Sequence, residues 1–228
     1  GVRAAETMRG LDTECSITVV GAETFVPYDR PPLSKKFLSG EVDAERVLLR
    51  KQDVFDSLNL TWRLGSPAIS LDIENKSVTL ADESAVPYDG LIIATGGHAR
   101  TIPTIPQIKG VHTLRTLRDA EGLRDALATP APDGGTRRFV VIGAGFIGLE
   151  AAATARQVGL QVTVLEGAPA PLIRGLGAEM GAAIAKVHER HGVTVRCGSE
   201  MCIRDRRSCW HRSFTERRVA GGKWSHVA

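Results

Sequence analysis

The spacing of hydrophobic and polar positions along the chain predicts which segments form helices and which form strands. Ala4, Ala5 and Met8 recur at helical spacing at the start of the sequence, and this pattern predicts a helix. The mostly apolar run SITVVG at 16–21 predicts a short buried strand. A helix that leads into a buried strand is half of a β-α-β unit, so the chain opens within an α/β arrangement.

The rest of the first half continues this alternation. A helical pattern at 51–58 precedes a strand pattern at 60–63. Two alternating runs at 67–73 and 77–81, joined by turn-forming residues, predict a β-hairpin. The apolar run LIIAT at 91–95 predicts another buried strand.

A proline-containing stretch separates the two halves. Pro103 and Pro106 make residues 101–110 an expected extended segment, which is a natural boundary between two domains. We therefore interpret the chain as α/β, with two Rossmann-like doubly wound modules at 1–110 and 111–199, both incomplete. In the second module the pattern predicts a helix at 117–128, a strand at 139–142, a turn at 143–148, a helix at 149–157, a strand at 161–166, a helix at 178–191 and a strand at 193–196.

Composition narrows the class of protein. Of the 228 residues, 43% are hydrophobic and 24% are charged, which is ordinary for a globular chain. Aromatic residues make up only 5% while there are 24 glycines, and this balance favours an α/β protein over an aromatic-rich β-sandwich. No apolar run approaches the roughly 18 residues of a membrane span, so no membrane partner is expected. The four cysteines form neither a zinc-ligand nor a disulfide pattern, so we expect a reducing, cytoplasmic setting and no metal site.

The end of the chain differs from the rest. Residues 200–228 contain seven Lys and Arg against three Asp and Glu, without hydrophobic periodicity. A basic segment with aromatic residues is one pattern that binds nucleic acid. However, EMCIRDR at 200–206 back-translates to a sequence similar to the transposon end used in sequencing-library preparation. We therefore expect the native frame to end between Cys197 and Ser199, the remainder to be an assembly scar, and no nucleic-acid partner.

The most informative motif is VVIGAGFIGLE, which places Gly143, Gly145 and Gly148 as GxGxxG between a predicted strand and a predicted helix. In such turns the first glycine permits the tight turn, the second lets the backbone approach a pyrophosphate, and the third lets helix and strand pack closely. Glu166 ends the next strand, where a carboxylate accepts ribose hydroxyls and repels a 2′-phosphate. The motif predicts a dinucleotide site that prefers NAD to NADP. Arg174 either softens that preference or is a solvated loop arginine.

The second motif, PYDRPPLSKK at 27–36, is ambiguous on its own. Its prolines stiffen the backbone, and a buried Lys35 beside them would supply a fixed positive charge to an anionic reduced ring. Together with GVRAAE, VGAE, ATGG, LRTLRDA and VVIGAGFIGLE, the motif resembles the FAD-dependent reductases that pass electrons from NADH to ferredoxins, putidaredoxin and rubredoxin, within the pyridine nucleotide-disulfide oxidoreductase superfamily. The resemblance runs from Gly1 to about Ser199.

This resemblance implies a function. The first module would bind FAD and the second would bind NADH. Hydride would pass from NADH to the flavin, and electrons would then pass singly to a small iron–sulfur partner of the ferredoxin or rubredoxin type. The residues that the resemblance places at the cofactors are Gly1, Ala22, Glu23, Arg30, Lys35, Ala68, Thr95, Gly96 and Arg115 for FAD, and Gly143, Gly145, Ile147, Gly148, Glu150, Glu166 and Arg174 around the NADH site.

The resemblance also implies individual roles. Lys35 and Glu150 would lie beside the flavin ring, where hydride arrives, and are the catalytic candidates. The alternative for Glu150 is an acid at a helix start that the helix dipole stabilises. For the rest of FAD, the pyrophosphate would be lined by Gly1, Thr95, Gly96 and Arg115, the ribose by Glu23 or the backbone of Ala22, and the adenine side by the backbone of Ala68.

Several alternatives stay open. Disulfide-reducing relatives carry CxxxxC where this chain has PYDRPPLSK, which contains no cysteine, so a thiol relay is not expected. A flavoprotein with another acceptor, such as the NADH-binding part of a nitrite reductase or a monodehydroascorbate reductase, fits the same motifs. A nucleotide-binding chain without turnover and a fragment without function also fit. The sequence lacks the first strand and the first two glycines of the FAD fingerprint, so cofactor affinity and activity are expected of the parent protein.

Overall fold

The computed structural model describes residues 1–103, 105, 108–131 and 134–199. Backbone packing separates a first unit, of residues 1–101 and 111–125, from a second unit, of residues 102–110 and the described chain from 126 onward. Among the described helices, none is long and apolar enough to cross a membrane. The helices are α1 (Val2–Leu11), α2 (Gln52–Ser57), α3 (Leu117–Ala128), α4 (Phe146–Gln157) and α5 (Ile173–Arg190), and the strands are β1 (Thr18–Gly21), β2 (Thr61–Leu64), β3 (Ala68–Asp72), β4 (Ser77–Leu80), β5 (Ala85–Pro87), β6 (Arg138–Ile142), β7 (Gln161–Leu165) and β8 (Val193–Arg196).

The first unit contains a parallel strand pair and an antiparallel sheet. β1 and β2 run parallel, with Thr18 opposite Thr61. β3, β4 and β5 form the antiparallel sheet in that order, with a bulge between Ala68 and Ser70. The hairpin predicted from the alternating pattern is β3 and β4. β5 was not predicted, because three residues are too few to establish an alternation.

Arg9, near the end of α1, ties three segments of the first unit together. Its guanidinium donates hydrogen bonds to the carbonyl oxygens of Leu58 at 2.9 Å and Asn59 at 3.1 Å, directly after α2. It also donates to the carbonyl oxygens of Thr13 at 2.9 Å and Cys15 at 2.8 Å, before β1. Carbonyl groups beyond a helix end lack intrahelical donors, so one half-buried cation satisfies several of them at once.

The core of the first unit is built on the proline-rich loop. The turn Pro31–Ser34 is a short 3-10 helix, and Phe37 after it is fully buried. Because the first half of α3 packs on this loop, the first unit extends to residue 125, whereas the sequence analysis placed the boundary at 110. The buried members of this cluster are Tyr28, Leu33, Phe37, Val47, Leu117 and Ala120.

The second unit is a β-α-β-α-β arrangement. β6, β7 and β8 are parallel neighbours, with Thr163 of β7 opposite Val140 and Thr194. Gly177 has φ 79° and ψ 171° and interrupts α5, so its long regular part starts at residue 178, as the pattern predicts. The predicted α/β class, with a parallel sheet in each unit, is confirmed. The buried core of this unit consists of Val141, Ala144, Leu149, Ala152, Ala155, Leu160, Val162, Val164 and Val193.

One predicted strand is not formed. Residues 91–95 have no regular secondary structure and pair with none of the described strands. Ile92 and Ile93 are 57% and 71% exposed, so the run is not buried either. A strand depends on hydrogen bonds to a neighbour as well as on apolar side chains, and the prediction rested on the apolar pattern alone. The prediction of a buried strand at 91–95 is therefore wrong for this structure.

Phe37→Ala should destabilise the first unit, because it removes a fully buried ring and leaves a cavity. Such substitutions cost about 3–5 kcal/mol of the free energy of unfolding, which urea denaturation measures. The control is Leu11→Ala, at a residue that is 84% exposed, and it should change the free energy by less than about 0.5 kcal/mol. Equal losses in the two variants would contradict the core position of Phe37.

Candidate nucleotide-binding sites

The turn between β6 and α4 carries the three glycines of the motif. Gly143 has φ +96°, a conformation that L side chains rarely adopt, and its N–H donates to the Leu165 carbonyl at 2.8 Å. A methyl group on Gly148 would overlap the carbonyl oxygen of Gly143 and lie 3.1 Å from the Val141 side chain. The start of α4 therefore packs this closely on the turn only because residue 148 is glycine.

The start of α4 offers backbone N–H groups to an anion. Gly145 is the N-cap, in an extended conformation, and makes no side-chain cap bond. The first turn of α4 contains no acidic residue, and its Phe146 and Ile147 are 59% and 45% exposed. N–H groups at a helix start lack intrahelical acceptors and carry the positive end of the helix dipole. This accessible turn has the chemistry of a phosphate site.

Glu166 forms hydrogen bonds to the loops at the carboxyl edge of the parallel sheet and so stabilises them. Its Oε2 accepts the N–H of Ala144 at 2.6 Å, and its Oε1 accepts the N–H of Ala168 at 2.8 Å. Its carbonyl accepts the N–H of Ser199 at 3.0 Å, which brings the segment after β8 to the same edge. Each carboxylate oxygen has two lone pairs, so both oxygens retain acceptor capacity for ribose hydroxyls. Glu166 thus holds the glycine turn in addition to its predicted role.

The remaining predicted residues of the second unit lie on α4 and α5. Glu150 is the fifth residue of α4, because the helix starts at Phe146 rather than at 149 as predicted. The alternative explanation of Glu150 as a helix-start acid is therefore wrong, since the dipole acts within the first turn. Arg174 is the second residue of α5 and is exposed.

Cys197 lies near Glu166. Burial, and then the negative charges of Glu166 and Glu189, raise the pKa of the Cys197 thiol.

In the first unit, α1 starts in the same way as α4. Gly1 is its N-cap and makes no side-chain cap bond, and the first turn contains no acidic residue. A methyl group on Gly1 would lie 3.9 Å from the Cβ of Ala94, so this helix start adjoins the segment with Thr95 and Gly96. Gly96 has φ +67°, which favours glycine. Three of the residues predicted at the FAD pyrophosphate therefore share one region.

Arg115 is fixed beside this segment from three sides. Its Nε donates to the Gly97 carbonyl at 3.0 Å, and its backbone N–H donates to Asp119 Oδ2 at 3.0 Å. Its carbonyl accepts a hydrogen bond from Arg30 at 2.7 Å. Within the described part of the chain, the two terminal nitrogens of Arg115 have no hydrogen-bond partner. They are donors held in place for an anion such as a pyrophosphate.

Glu23, Tyr28 and Arg30 form one hydrogen-bonded network. The Tyr28 hydroxyl donates to Glu23 Oε2 at 2.5 Å, and Arg30 donates to Glu23 Oε1 at 2.7 Å. The hydroxyl accepts the N–H of Leu117 at 2.8 Å and an Arg30 N–H at 3.2 Å. One donated and two accepted bonds saturate a phenol hydroxyl. Burial, followed by the bond to Glu23, raises the pKa of Tyr28 to about 12, so the hydroxyl keeps its proton at neutral pH.

The backbone after β1 is joined to the segment that leads into β3. The Glu23 carbonyl accepts the N–H of Gly65 at 2.9 Å, and the Gly21 carbonyl accepts the N–H of Ser66 at 3.0 Å. Ala68, the first residue of β3, follows two positions later and is exposed. Ala22 is also exposed. The residues predicted at the ribose, Ala22 and Glu23, therefore lie on a segment next to the one that carries Ala68, the residue predicted at the adenine.

Lys35 differs from its prediction. The residue is exposed, and its Nζ donates to the Pro31 carbonyl at 3.1 Å. Leu33 and Ser34 take the buried positions of this turn, at 2% and 3% exposure. The prediction of a buried lysine is therefore wrong, because the tight 3-10 turn brings Lys35 to the surface.

Sequence reasoning missed two residues of the network. Tyr28 lies inside the PYDRPP motif, but its long-range partner Leu117 leaves no trace in the local pattern. Asp119 carried a detectable signal: its N–H donates to Thr116 Oγ1 at 3.1 Å and its carboxylate accepts the Thr116 N–H at 2.9 Å. This reciprocal pair is a capping box, and the spacing of Thr116 and Asp119 before an amphipathic helix predicts it.

Each of the two α/β units has a glycine-led helix start, the arrangement that is typical of nucleotide-binding proteins. The profile of the pyridine nucleotide-disulphide oxidoreductase family matches residues 1–216, and the chain belongs to this family. The match continues beyond residue 199, into the segment that the sequence analysis set apart.

Individual relatives agree with this assignment. Rhodocoxin reductase of Rhodococcus erythropolis is 42% identical over 198 residues, which are 86% of this chain and 45% of that protein. Putidaredoxin reductase of Pseudomonas putida is 35% identical over 206 residues, which are 89% of this chain and 47% of that protein. A chain of the covalent putidaredoxin reductase–putidaredoxin complex has a TM-score of 0.78 at 35% identity, over 89% of this chain and 48% of its own length. The chain thus spans about half the length of the curated relatives it matches.

Gly148→Ala should destabilise the second unit, because the added methyl overlaps the Gly143 carbonyl and forces α4 away from the turn. Overpacking of this kind costs about 1–3 kcal/mol, measurable by urea denaturation. The control is Gly10→Ala in α1, where nothing lies within 4 Å of the added methyl. That variant should gain up to about 1 kcal/mol from the higher helix propensity of alanine. A Gly148→Ala variant as stable as wild type would contradict the close packing.

The stability contributed by Tyr28 should disappear in strong alkali. The pKa of Tyr28 is about 12 in the folded chain against its ordinary value of 10.0, so only the unfolded chain loses the proton between these values. This contribution is full below pH 10 and is progressively lost as the pH rises toward 12, because deprotonation then favours the unfolded chain. The measurement is the difference in the free energy of unfolding between wild type and Tyr28→Phe from pH 8 to 12. A difference that stays constant over this range would contradict the raised pKa.

Proposed function

We propose that the protein is an FAD-containing, NADH-dependent reductase that passes electrons to an iron–sulfur protein of the ferredoxin or rubredoxin type. The observation that carries the proposal is the pair of helix starts, one in each unit, each led by glycine and each without an acidic residue in its first turn. One nucleotide requires one such site, and a flavoenzyme that also uses a nicotinamide requires two. The names of rhodocoxin reductase and putidaredoxin reductase support electron delivery to a small redox protein.

The first unit has the donor and acceptor groups that FAD requires. The start of α1 and the terminal nitrogens of Arg115 suit a pyrophosphate, and the Glu23 carboxylate suits ribose hydroxyls. When bound, the flavin supplies the exchange between two-electron hydride transfer and single-electron transfer, which no side chain provides. The protein's own residues bind and orient it. We assign residues 1–110 to FAD binding, together with Arg115 on the segment before α3 that packs in the same unit, and the remainder of 111–199 to NADH binding.

The second unit suits NADH better than NADPH. The Glu166 carboxylate keeps acceptor capacity on both oxygens, and its charge opposes a 2′-phosphate. Its partners Ala144 and Ala168 are neutral backbone groups, so they leave the negative charge in place. Arg174, which is exposed on α5, is the residue proposed to contact the negatively charged phosphates of the nucleotide.

Lys35 and Glu150 are the proposed residues beside the flavin ring. Their positions, a surface lysine after a rigid turn and a glutamate in the second turn of α4, are compatible with access to a cofactor. Slower flavin reduction by NADH in Lys35→Ala and in Glu150→Ala would support these roles, and unchanged reduction rates in both would refute them.

We also propose a cytoplasmic setting for the protein. Cys15 and Cys197 are free thiols, and free thiols are typical of proteins in a reducing compartment.

NADH should reduce the flavin of the full-length parent protein at least about tenfold more efficiently than NADPH, since about 1.4 kcal/mol of repulsion at Glu166 is enough for that ratio. Anaerobic stopped-flow absorbance measures both rates. Glu166→Gln should reduce the ratio, because it removes the charge that opposes the 2′-phosphate. The matched control is Glu74→Gln, at an exposed turn residue of the first unit, which should leave the ratio unchanged. A preference for NADPH in wild type would overturn the assignment of the nicotinamide cofactor.

Electron delivery is tested by adding an oxidised ferredoxin with a [2Fe–2S] cluster to the reduced protein. Bleaching of the cluster with NADH as the only donor supports the reductase function. A stable complex with NADH that passes no electrons onward would instead indicate a nucleotide-binding protein without turnover. Reduction of quinone or monodehydroascorbate but not of the ferredoxin would indicate a flavoprotein with another acceptor.

A further inference from the structure

Tyr28 is central to the site of the first unit. The residue is only 8% exposed and belongs to the buried cluster that includes Phe37. Its ring meets Phe25 edge-on, at 6.5 Å between centroids, and the Arg30 guanidinium lies 5.1 Å from its ring centre. The ring is therefore held by the core, while the hydroxyl is held by polar groups.

The hydroxyl of Tyr28 joins two segments that are distant in the chain. It donates to Glu23, which follows β1, and accepts the N–H of Leu117, the first residue of α3, 89 positions away. The N–H groups of a first helical turn have no acceptor within the helix, so this bond also pairs an otherwise unsatisfied group. One oxygen atom thus sets the distance between Glu23 and the start of α3.

Hydrogen bonds to Asp119 hold Arg115 at the start of α3. Asp119 accepts the N–H groups of Arg115 and of Thr116, which lie just before the helix. Arg30 donates both to Glu23 and to the Arg115 carbonyl. The acceptor proposed for the ribose and the donor proposed for the pyrophosphate are therefore linked through Tyr28 and Arg30.

We propose that Tyr28 is a positioning residue for the flavin nucleotide, whose hydroxyl holds the Glu23 carboxylate and the segment of Arg115 in their binding arrangement before the cofactor arrives. The inference rests on the proposed function, since it takes the first unit as the FAD site. Groups that are already ordered bind more tightly, because less conformational freedom is lost on association. Tyr28 would act through Glu23 and α3, without a contact to the reacting atoms.

Tyr28→Phe tests this role directly, because it keeps the buried ring and removes only the hydroxyl. We expect the dissociation constant of FAD to rise about tenfold or more, measured by flavin fluorescence titration of the full-length parent protein after its FAD has been removed. The matched control is Tyr88→Phe, at the other of the two tyrosines, which lies just after β5. It should change the constant by less than about twofold.

A double-mutant cycle separates positioning from a general loss of structure. If the hydroxyl acts through the carboxylate, Tyr28→Phe should weaken FAD binding by less than about threefold in a Glu23→Gln background. Fully additive losses would mean that Tyr28 acts independently of Glu23, and the proposal would be overturned.

Amide hydrogen exchange in the FAD-free chain provides a readout that needs no cofactor. The Leu117 amide should exchange about tenfold or more faster in Tyr28→Phe, and at the wild-type rate in Tyr88→Phe. Glu23→Gln leaves the core ring untouched and should accelerate the same amide, which keeps the test valid if Tyr28→Phe does not fold. A full-length parent protein that binds no FAD would contradict the proposed function, whereas unchanged Leu117 exchange in the variants would overturn the positioning role. Faster exchange with unchanged FAD affinity would also overturn it.

Discussion

The backbone N–H groups at the starts of α1 and α4 are the constraint on which both units are built. Neither N-cap, Gly1 or Gly145, makes a side-chain cap bond, and neither first turn contains an acidic residue. The N–H groups at these helix starts have no acceptor within the helix, and the accessible turn at each place leaves room for one from a ligand. In the second unit the space exists because Gly148 lets α4 pack onto the turn. These two helix starts are therefore the places at which an anionic ligand would find backbone N–H donors.

Each unit also holds a glutamate after a strand, but the two carboxylates are held differently. Glu166 is bound by the backbone N–H groups of Ala144 and Ala168, which are neutral. Glu23 is bound by the Tyr28 hydroxyl and by Arg30, which brings a full positive charge to 2.7 Å. Glu166 therefore presents a net negative charge to its ligand, whereas Glu23 and Arg30 together present none. The first arrangement suits discrimination against a phosphate, and the second suits hydrogen bonding to hydroxyl groups.

The two cores support these sites by different means. In the second unit, Ala152 and Ala155 of α4 are fully buried, and such small side chains let the helix lie close to the sheet. In the first unit, Leu33 of the PYDRPPLSKK loop and Phe37 directly after it fill the core, and the first half of α3 packs on them. The loop therefore acts as a scaffold that carries Tyr28 and Arg30 into the polar network.

The sequence by itself determined the β-α-β-α-β order of the second unit, the glycine turn at 143–148 and the family, because periodicity, glycine spacing and short motifs are local properties. Tertiary structure alone decided whether residues 91–95 pair as a strand and whether Lys35 is buried, and both local predictions were wrong. It also decided the network around Tyr28, whose partner Leu117 lies 89 positions along the chain. Strand pairing, burial and hydrogen bonds over such separations depend on which segments meet in space, and no local pattern of residues contains that information.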